Sequence, residues 1–405
     1  MGAPKATARG PLLLVGGVVF AVAVASFTRV PLLPDIGREL RLSVADVGLM
    51  TAAFAVGRLA MDLPAGRIAD RLAPGRALAG SGIGIVLAGG VLGSAHSLAQ
   101  ALAGMALLGA ASALTNTMGM TVFATWAPAA RRGTAMAGFT TALMMGQSLG
   151  PALGGAVGGL AGWRAAQGFT AGLGVAVVLA CLAVRSARSG GPGAALGDTD
   201  DDDPLGELSP SEALVLASVP FGVFFAIGAL PQTLLPLIGS DDLGLSTSTI
   251  GLALGLGGIA RFAGSLITGV LSDRISRKAA LVPNLLLMAA SVSVLALPPS
   301  RASWLAAIVL LSFASSGIAV AATIIADRVP LATVGRRLGT FRFTGDFGLL
   351  VGPALAAALY EHVSREAAMF ATAGLLLACA LAAAKLVAEP AGPHRTGGWQ
   401  PPPGA

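Results

Sequence analysis

Pro11 to Ser26 and Ala367 to Ala384 contain no charged side chain, and runs of this kind recur from one end of the chain to the other. A continuous apolar run of about 20 residues lets a helix cross the hydrocarbon of a bilayer. A barrel strand would instead alternate apolar and polar residues over about 10 positions, and that alternation is missing. Only 11% of the 405 residues are charged, against about 25% in soluble domains, and the mean hydropathy is +0.79. A larger core cannot absorb the difference, because single cores stop growing near about 250 to 300 residues. Lipid is the solvent for most of this surface, and the class is an all-α polytopic membrane protein.

The apolar runs and their polar breaks predict twelve transmembrane helices. These are α1 over 11–33, α2 over 45–69, α3 over 77–95, α4 over 98–126, α5 over 135–161 and α6 over 166–184. The second set is α7 over 212–238, α8 over 247–272, α9 over 279–298, α10 over 303–326, α11 over 339–360 and α12 over 366–387. The organisation expected is an N-terminal six-helix bundle over 1–184, a linker over 185–211, a C-terminal six-helix bundle over 212–387 and a tail over 388–405. The linker is rich in Gly, Ser and Pro and carries Asp200 to Asp203, the composition of a solvated, self-repelling connector.

A net charge of +6 would suggest nucleic acid in a soluble protein, but the basic residues sit mostly in short loops and act as topology signals, so no nucleic-acid partner is expected. Seventeen Lys and Arg fall in one set of alternate loops and five in the other, which places both termini and the linker in the cytoplasm. Lys5 and Arg9 ahead of an apolar run look like the start of a signal peptide, yet the run is too long for one and is read as a retained first helix. Cys181 and Cys379 lie inside apolar helices without metal-binding or disulfide spacing, and no cofactor or metal is expected.

The two halves repeat at an offset close to 203 residues. Leu33-Pro34-Asp35-Ile36-Gly37 with Ser43 and Gly48 answers Leu235-Pro236-Leu237-Ile238-Gly239 with Ser246 and Gly251. Gly66-Arg67-Ile68-Ala69-Asp70-Arg71 answers Gly269-Val270-Leu271-Ser272-Asp273-Arg274, and Gly150-Pro151 answers Gly352-Pro353. Parallel repeats of six helices suit a rocking pair of bundles with a site between them near the bilayer midplane.

Carrying these motifs, the sequence resembles the Major Facilitator Superfamily over nearly its whole length. The loop after α2, with Gly66, Asp70, Arg71 and Arg76, and the loop after α8, with Gly269, Asp273, Arg274, Arg277 and Lys278, match the family's gating motif. The resemblance implies that Asp70 meets the start of α11 near Gly339, and Asp273 the start of α5 near Thr134, when the cytoplasmic side is closed. Helix α5 carries Gly146, Gly150, Pro151, Gly154 and Gly155, similar to the motif that accompanies drug and metabolite antiporters, and Pro31-Leu32-Leu33-Pro34 is similar to their α1 pattern. In many proton-coupled exporters of the family α4 carries an arginine four residues before a glycine, and here Met105 stands ahead of Gly109.

Ionisable groups inside a membrane helix are costly and mark function. Arg58 and Asp62 on α2, Arg261 on α8, and Arg342 and Asp346 on α11 are such groups, whereas Arg29, near the end of α1, is read as snorkelling to the interface. Arg58 and Arg261 occupy equivalent repeat positions, each twelve residues before its loop aspartate, about 18 Å from the cytoplasmic end. Since the family fold sets α2 beside α11, the expected arrangement is a network across that seam built from Arg58 with Asp62 and Arg342 with Asp346. It serves either as a latch or as a proton switch. Arg261 faces only Gln147, Thr140 and Thr141 on α5 and is a candidate for an anionic substrate or for a bond to Gln147. Asn116, Gln232, Phe54, Phe224 and Phe225 are further cavity candidates. Trp126, Trp163 and Trp304 are expected to anchor helix ends at the interface.

The function expected is secondary active transport by alternating access, as proton-coupled efflux of a small organic molecule, a drug or metabolite, by a monomer in the cell membrane. The alternative is proton-coupled uptake or exchange of an anion held by Arg58 and Arg261. A receptor or scaffold would need an output domain. No zinc-protease or phosphate-loop motif appears, and an enzyme is not expected.

Overall fold

The computed structural model describes residues 9–128, 131–185, 209–328 and 331–387. The acidic run of the linker, the tail over 388–405 and the side chain of Asp70 lie outside the described residues.

The twelve predicted helices are all present. Ten have simple ends: α2 Val44–Arg71, α3 Pro74–Gly93, α4 Leu98–Trp126, α5 Arg132–Ala161, α6 Trp163–Arg185, α8 Thr247–Arg274, α9 Arg277–Val294, α11 Leu331–His362 and α12 Arg365–Leu386, with α10 running from Arg301 to Arg328 through a 3-10 turn at Ser315–Gly317. Serines cap many of the starts. Ser43 and Ser246, the repeat partners ahead of α2 and α8, accept from the amides of Asp46 and Thr249, and Ser209 closes a capping box with Glu212 ahead of α7. Eleven helices are long and apolar enough to cross a membrane. The remaining one is α5, which has eight glycines. They lower its hydropathy and let its backbone approach neighbours closely.

Helices α1 and α7 depart from their expected ends. Helix α1 was expected to stop at 33, but Arg9–Thr28 continues through a 3-10 turn at Val30–Leu32 into Leu33–Leu40. Pro31 and Pro34 each occupy one of the first two positions of a new segment, where the missing N–H costs nothing. In α7, Pro210–Ala229 runs into π turns at Leu230–Leu234 and Ile238–Asp242 around Pro231 and Pro236. Both extended helices end in a left-handed residue, Arg41 at φ 54° and Gly244 at φ 62°, which sit 203 residues apart.

The rearranged backbone of α7 needs partners. Trp304 Nε1 donates to the Leu235 carbonyl at 2.8 Å, and its ring packs where a Cβ on Gly239 would sit. Trp304 and Trp163, both at helix starts, are buried within the protein, and Trp163 donates to Glu39. Their rings fill helix junctions. Trp304→Phe is expected to lower stability in detergent by about 1 to 3 kcal/mol by orphaning that carbonyl, read as a fall in the thermal unfolding midpoint.

Within the first half α1 packs on α5, α2 on α4 and α3 on α6. The second half repeats this with α7 on α11, α8 on α10 and α9 on α12. The halves meet along two seams, α2 with α11 and α5 with α8.

Candidate functional site

Both seams are tight on the face opposite the chain ends. A Cβ on Gly155 would lie 2.7 Å from the Thr247 carbonyl and 2.8 Å from Gly251 Cα, and one on Gly48 would lie 2.6 Å from the Pro353 carbonyl. Asp35 accepts from Thr247 at 2.6 Å, Ser248 Oγ donates to the Gly155 carbonyl at 3.0 Å, and the Ala45 amide donates to Glu361 at 2.7 Å. The face that carries Arg9 and Leu386 is different. Gly66, Gly133, Gly269 and Gly339 have open space where a Cβ would go. Asp273 is 71% exposed and paired with Arg277 at 2.6 Å, while Arg277 also reaches Asp327 at 3.2 Å. The second gating loop is thus bound to its own half, and Thr134, its expected partner, is exposed. Arg71, Arg76 and Arg274 are exposed, and Lys278 is half-buried.

At mid-height the α2–α11 seam holds a charge cluster. Arg58 Nε and Nη2 donate to the two oxygens of Asp346 at 3.0 and 3.3 Å, a fork that also satisfies both carboxylate oxygens. The Asp62 carboxyl, one turn along α2, lies near enough to Asp346 and Arg58 to feel the charge of both. Arg342 does not join Asp346. It is exposed, with Nη1 4.0 Å from the Met120 sulfur on α4. The expected four-residue pairs are therefore replaced by one pair between helices, because a guanidinium forks onto a carboxylate facing it across the seam better than onto one a turn away on its own helix. Helix α11 also starts at Leu331, not near 339, so Asp346 lies at the middle of its helix, level with Arg58 at the middle of α2.

The α5–α8 seam holds a second arrangement, a cation with no acid among its described partners. Arg261 Nη1 donates to Gln147 Oε1 at 3.3 Å, which is the bond to Gln147 anticipated as one of its two readings. Both line a cavity of about 70 Å³ with Phe27, Met144, Gln232 and Ser312, room for several waters. Arg58 is not among its lining residues, so an anion clamp of Arg58 with Arg261 is not formed here.

Arg29 is the residue that sequence reasoning missed. It is 1% exposed, its Nη2 donates to Gln232 Oε1 at 3.0 Å, and its guanidinium lies 4.3 Å from the Phe54 ring centre. Since α1 runs on to Leu40, Arg29 is too deep to snorkel. Arg29 and Gln232 stand 203 residues apart, the repeat offset itself, and that was the available signal. Thr51 Oγ1 donates to the Gln232 carbonyl and accepts from Thr233.

The other candidates scatter. Phe54 is buried beneath Arg29, Phe225 is buried and packs at a tilt against Phe221 with ring centres 6.0 Å apart, and Phe224 packs against Gly345, so the last two fill the α7–α11 contact instead of walling the cavity. Asn116 is half-buried one turn from Met120. In α5, Gly146, Gly150 and Gly154 admit the α1 backbone at Phe20, Val24 and Thr28, Gly155 admits α8, and Pro151 lines the cavity. Met105 is fully buried. Gly146-x-Ser148-x-Gly150 also has the spelling of a hydrolase nucleophile turn, but Ser148 is in mid-helix and donates to the Met144 carbonyl. Cys181 and Cys379 are buried, free thiols.

Two six-helix bundles related by a parallel repeat, with buried charge at their seams, define a membrane transporter. The chain belongs to the Major Facilitator Superfamily, whose model matches residues 15–238 and 213–403, and it is a transporter rather than an enzyme. It is 28% identical over 390 residues to a chloramphenicol resistance protein of Streptomyces lividans, covering 92% of this chain and 94% of that one. Among solved structures it is similar to a bacterial homologue of the human lysosomal transporter Spinster in an inward-facing, occupied conformation (TM-score 0.77, 16% identity, covering 94% and 97%). It is also similar to a nucleoside transporter (TM-score 0.73, 12% identity, covering 93% and 100%) and to a human organic anion transporter (TM-score 0.66, 19% identity, covering 94% and 100%).

Proposed function

We propose that this protein is a proton-coupled exporter of small organic molecules, working by alternating access in the cell membrane with both termini cytoplasmic. The observation that carries the reading is the Arg58–Asp346 pair with Asp62 beside it, spanning the α2–α11 seam. Breaking a buried ion pair by displacement alone costs about 3 to 5 kcal/mol, whereas a proton on the acid removes the charge that holds the arginine. Two adjoining carboxyls repel when both are ionised and hydrogen-bond when they hold one proton between them. Asp62 therefore offers a proton a place to enter the cluster. In the state described, open on the terminal face, Asp346 is paired as it would be after releasing a proton to the cytoplasm. Once the protein has turned to open on the other side, a proton arriving there at Asp62 or Asp346 frees Arg58 and lets the halves rock back.

The match to a chloramphenicol resistance protein favours export and selects the first substrate to try. The test is uptake of chloramphenicol into inside-out vesicles with an acid interior. For one proton exchanged per molecule the accumulation ratio is expected to approach about tenfold per unit of pH gradient, and an uncoupler should collapse it. Accumulation that survives the uncoupler would overturn proton coupling. A panel of drugs and metabolites that never accumulates above empty vesicles would overturn export.

A further inference from the structure

Arg29 and Arg261 are the two arginines of the membrane interior whose only described hydrogen-bond partner is a glutamine, Arg29 on Gln232 and Arg261 on Gln147, with the Phe54 ring beneath Arg29. Among the described residues neither forms an ion pair, and Nε and Nη1 of Arg29 and Nε of Arg261 are buried without a hydrogen-bond partner. A guanidinium has donors only, so each glutamine must turn its carbonyl oxygen to the arginine, and its NH₂ group is then left for something else. Gln147, Gln232 and Arg261 line one cavity. No acidic side chain lines it, and the Ser148 and Ser315 hydroxyls already donate to main-chain carbonyls. The rest of the wall is apolar, with Phe27, Met144, Ile227 and Leu254. A positive charge without a counter-charge in an apolar surround is costly, and each of these arginines carries one. The groups facing the space can all donate, and what satisfies them is a negative acceptor attached to an apolar body.

We propose that this cavity is the binding site for the anionic head of an amphipathic organic acid. Arg261 and the amides of Gln147 and Gln232 are the direct ligands, and Arg29 is a positioning residue that fixes Gln232 with its donors towards the anion. Arg58, tied to Asp346, takes no part. The inference rests on the transport reading for its physiological meaning and on this cavity alone for its chemistry.

The experiment is equilibrium binding to the purified full chain in detergent, with radiolabelled 2-naphthoate as probe, 2-naphthamide as its uncharged counterpart and inorganic phosphate as a bare anion. Naphthoate is expected to bind at least tenfold more tightly than naphthamide and to resist competition by phosphate. Arg261→Gln should weaken naphthoate binding at least tenfold, and Arg261→Lys should restore part of it. Arg29→Gln should weaken it several-fold while leaving naphthamide unchanged. Gln147→Glu adds an internal partner for Arg261 and should abolish naphthoate binding in a protein at least as thermostable as wild type, which separates the effect from misfolding. Equal binding of acid and amide, or undiminished naphthoate binding in Gln147→Glu, would overturn the proposal. Phosphate competing as well as unlabelled naphthoate would overturn its amphipathic part. If binding is charge-selective but no pH gradient drives uptake into vesicles, the coupling reading fails and the site stands. The reverse pattern removes the site and leaves coupled export.

Discussion

Asp346→Asn is expected to abolish gradient-driven accumulation while leaving facilitated exchange of substrate across the membrane. The amide keeps the shape of the carboxylate but holds neither the charge nor the proton, and Arg58 loses one of the two acceptors it reaches at 3.0 and 3.3 Å. Leaving a largely buried guanidinium without its counter-charge should lower stability by about 3 kcal/mol. The double variant Arg58→Gln with Asp346→Asn replaces the ion pair by a neutral hydrogen-bonded pair and should recover most of that stability. It should not recover coupling. This combination separates a latch from a proton switch, because a latch is mended by any well-fitting pair. Uphill accumulation by Asp346→Asn, measured in inside-out vesicles under an acid-interior gradient, would leave the cluster as a latch only. Asp62→Asn, which keeps the Arg58–Asp346 fork, should fold normally and show a weaker coupling defect.

Gly251→Leu is expected to drive the protein out of the state described here. At this point α8 crosses α5 with backbone against backbone, and a Cβ on Gly251 would stand 2.8 Å from Gly155 Cα and closer still to the Pro151 carbonyl. Neither neighbour is the end of a flexible side chain that could swing aside. The closed face must then part. Thr51, fully buried between the halves, reports on this. As Thr51→Cys, with Cys181 and Cys379 replaced by Ala, it should react at least tenfold faster with an impermeant maleimide applied to the face opposite the termini. Gly172→Leu, in open space on α6, is the matched control and should change nothing. Unchanged labelling in Gly251→Leu would mean that the seam re-packs with the face still closed.

The class, the twelve helices and the repeat could be read from the sequence because each depends on local composition. A helix that must satisfy its backbone within lipid announces itself as an apolar run, and serines such as Ser43 and Ser246 mark where such runs begin. The site was legible only in outline. Arg58, Asp62, Asp346, Arg261 and Gln147 stood out because charge and amide are rare in these helices. Which of them pair could not be read, since four-residue spacing on one helix favours Arg342 with Asp346, and only the crossing of α2 over α11 brings Arg58 there first. Arg29 was misplaced by a helix boundary. The predicted end at 33 falls just ahead of Pro34, and whether the chain resumes its helix there depends on what the next turn can bury.

What composition and periodicity settle is the solvent, the number of spans and the two-fold internal repeat, for these follow from transfer free energies summed along a short stretch of chain. The tertiary structure alone decides which face is shut, which acid holds Arg58, and that Arg29 and Arg261 are left with glutamines for company. Those outcomes turn on distances of a few tenths of an ångström between residues 203 or 288 positions apart. No local pattern encodes such distances, because they are set by how whole helices pack.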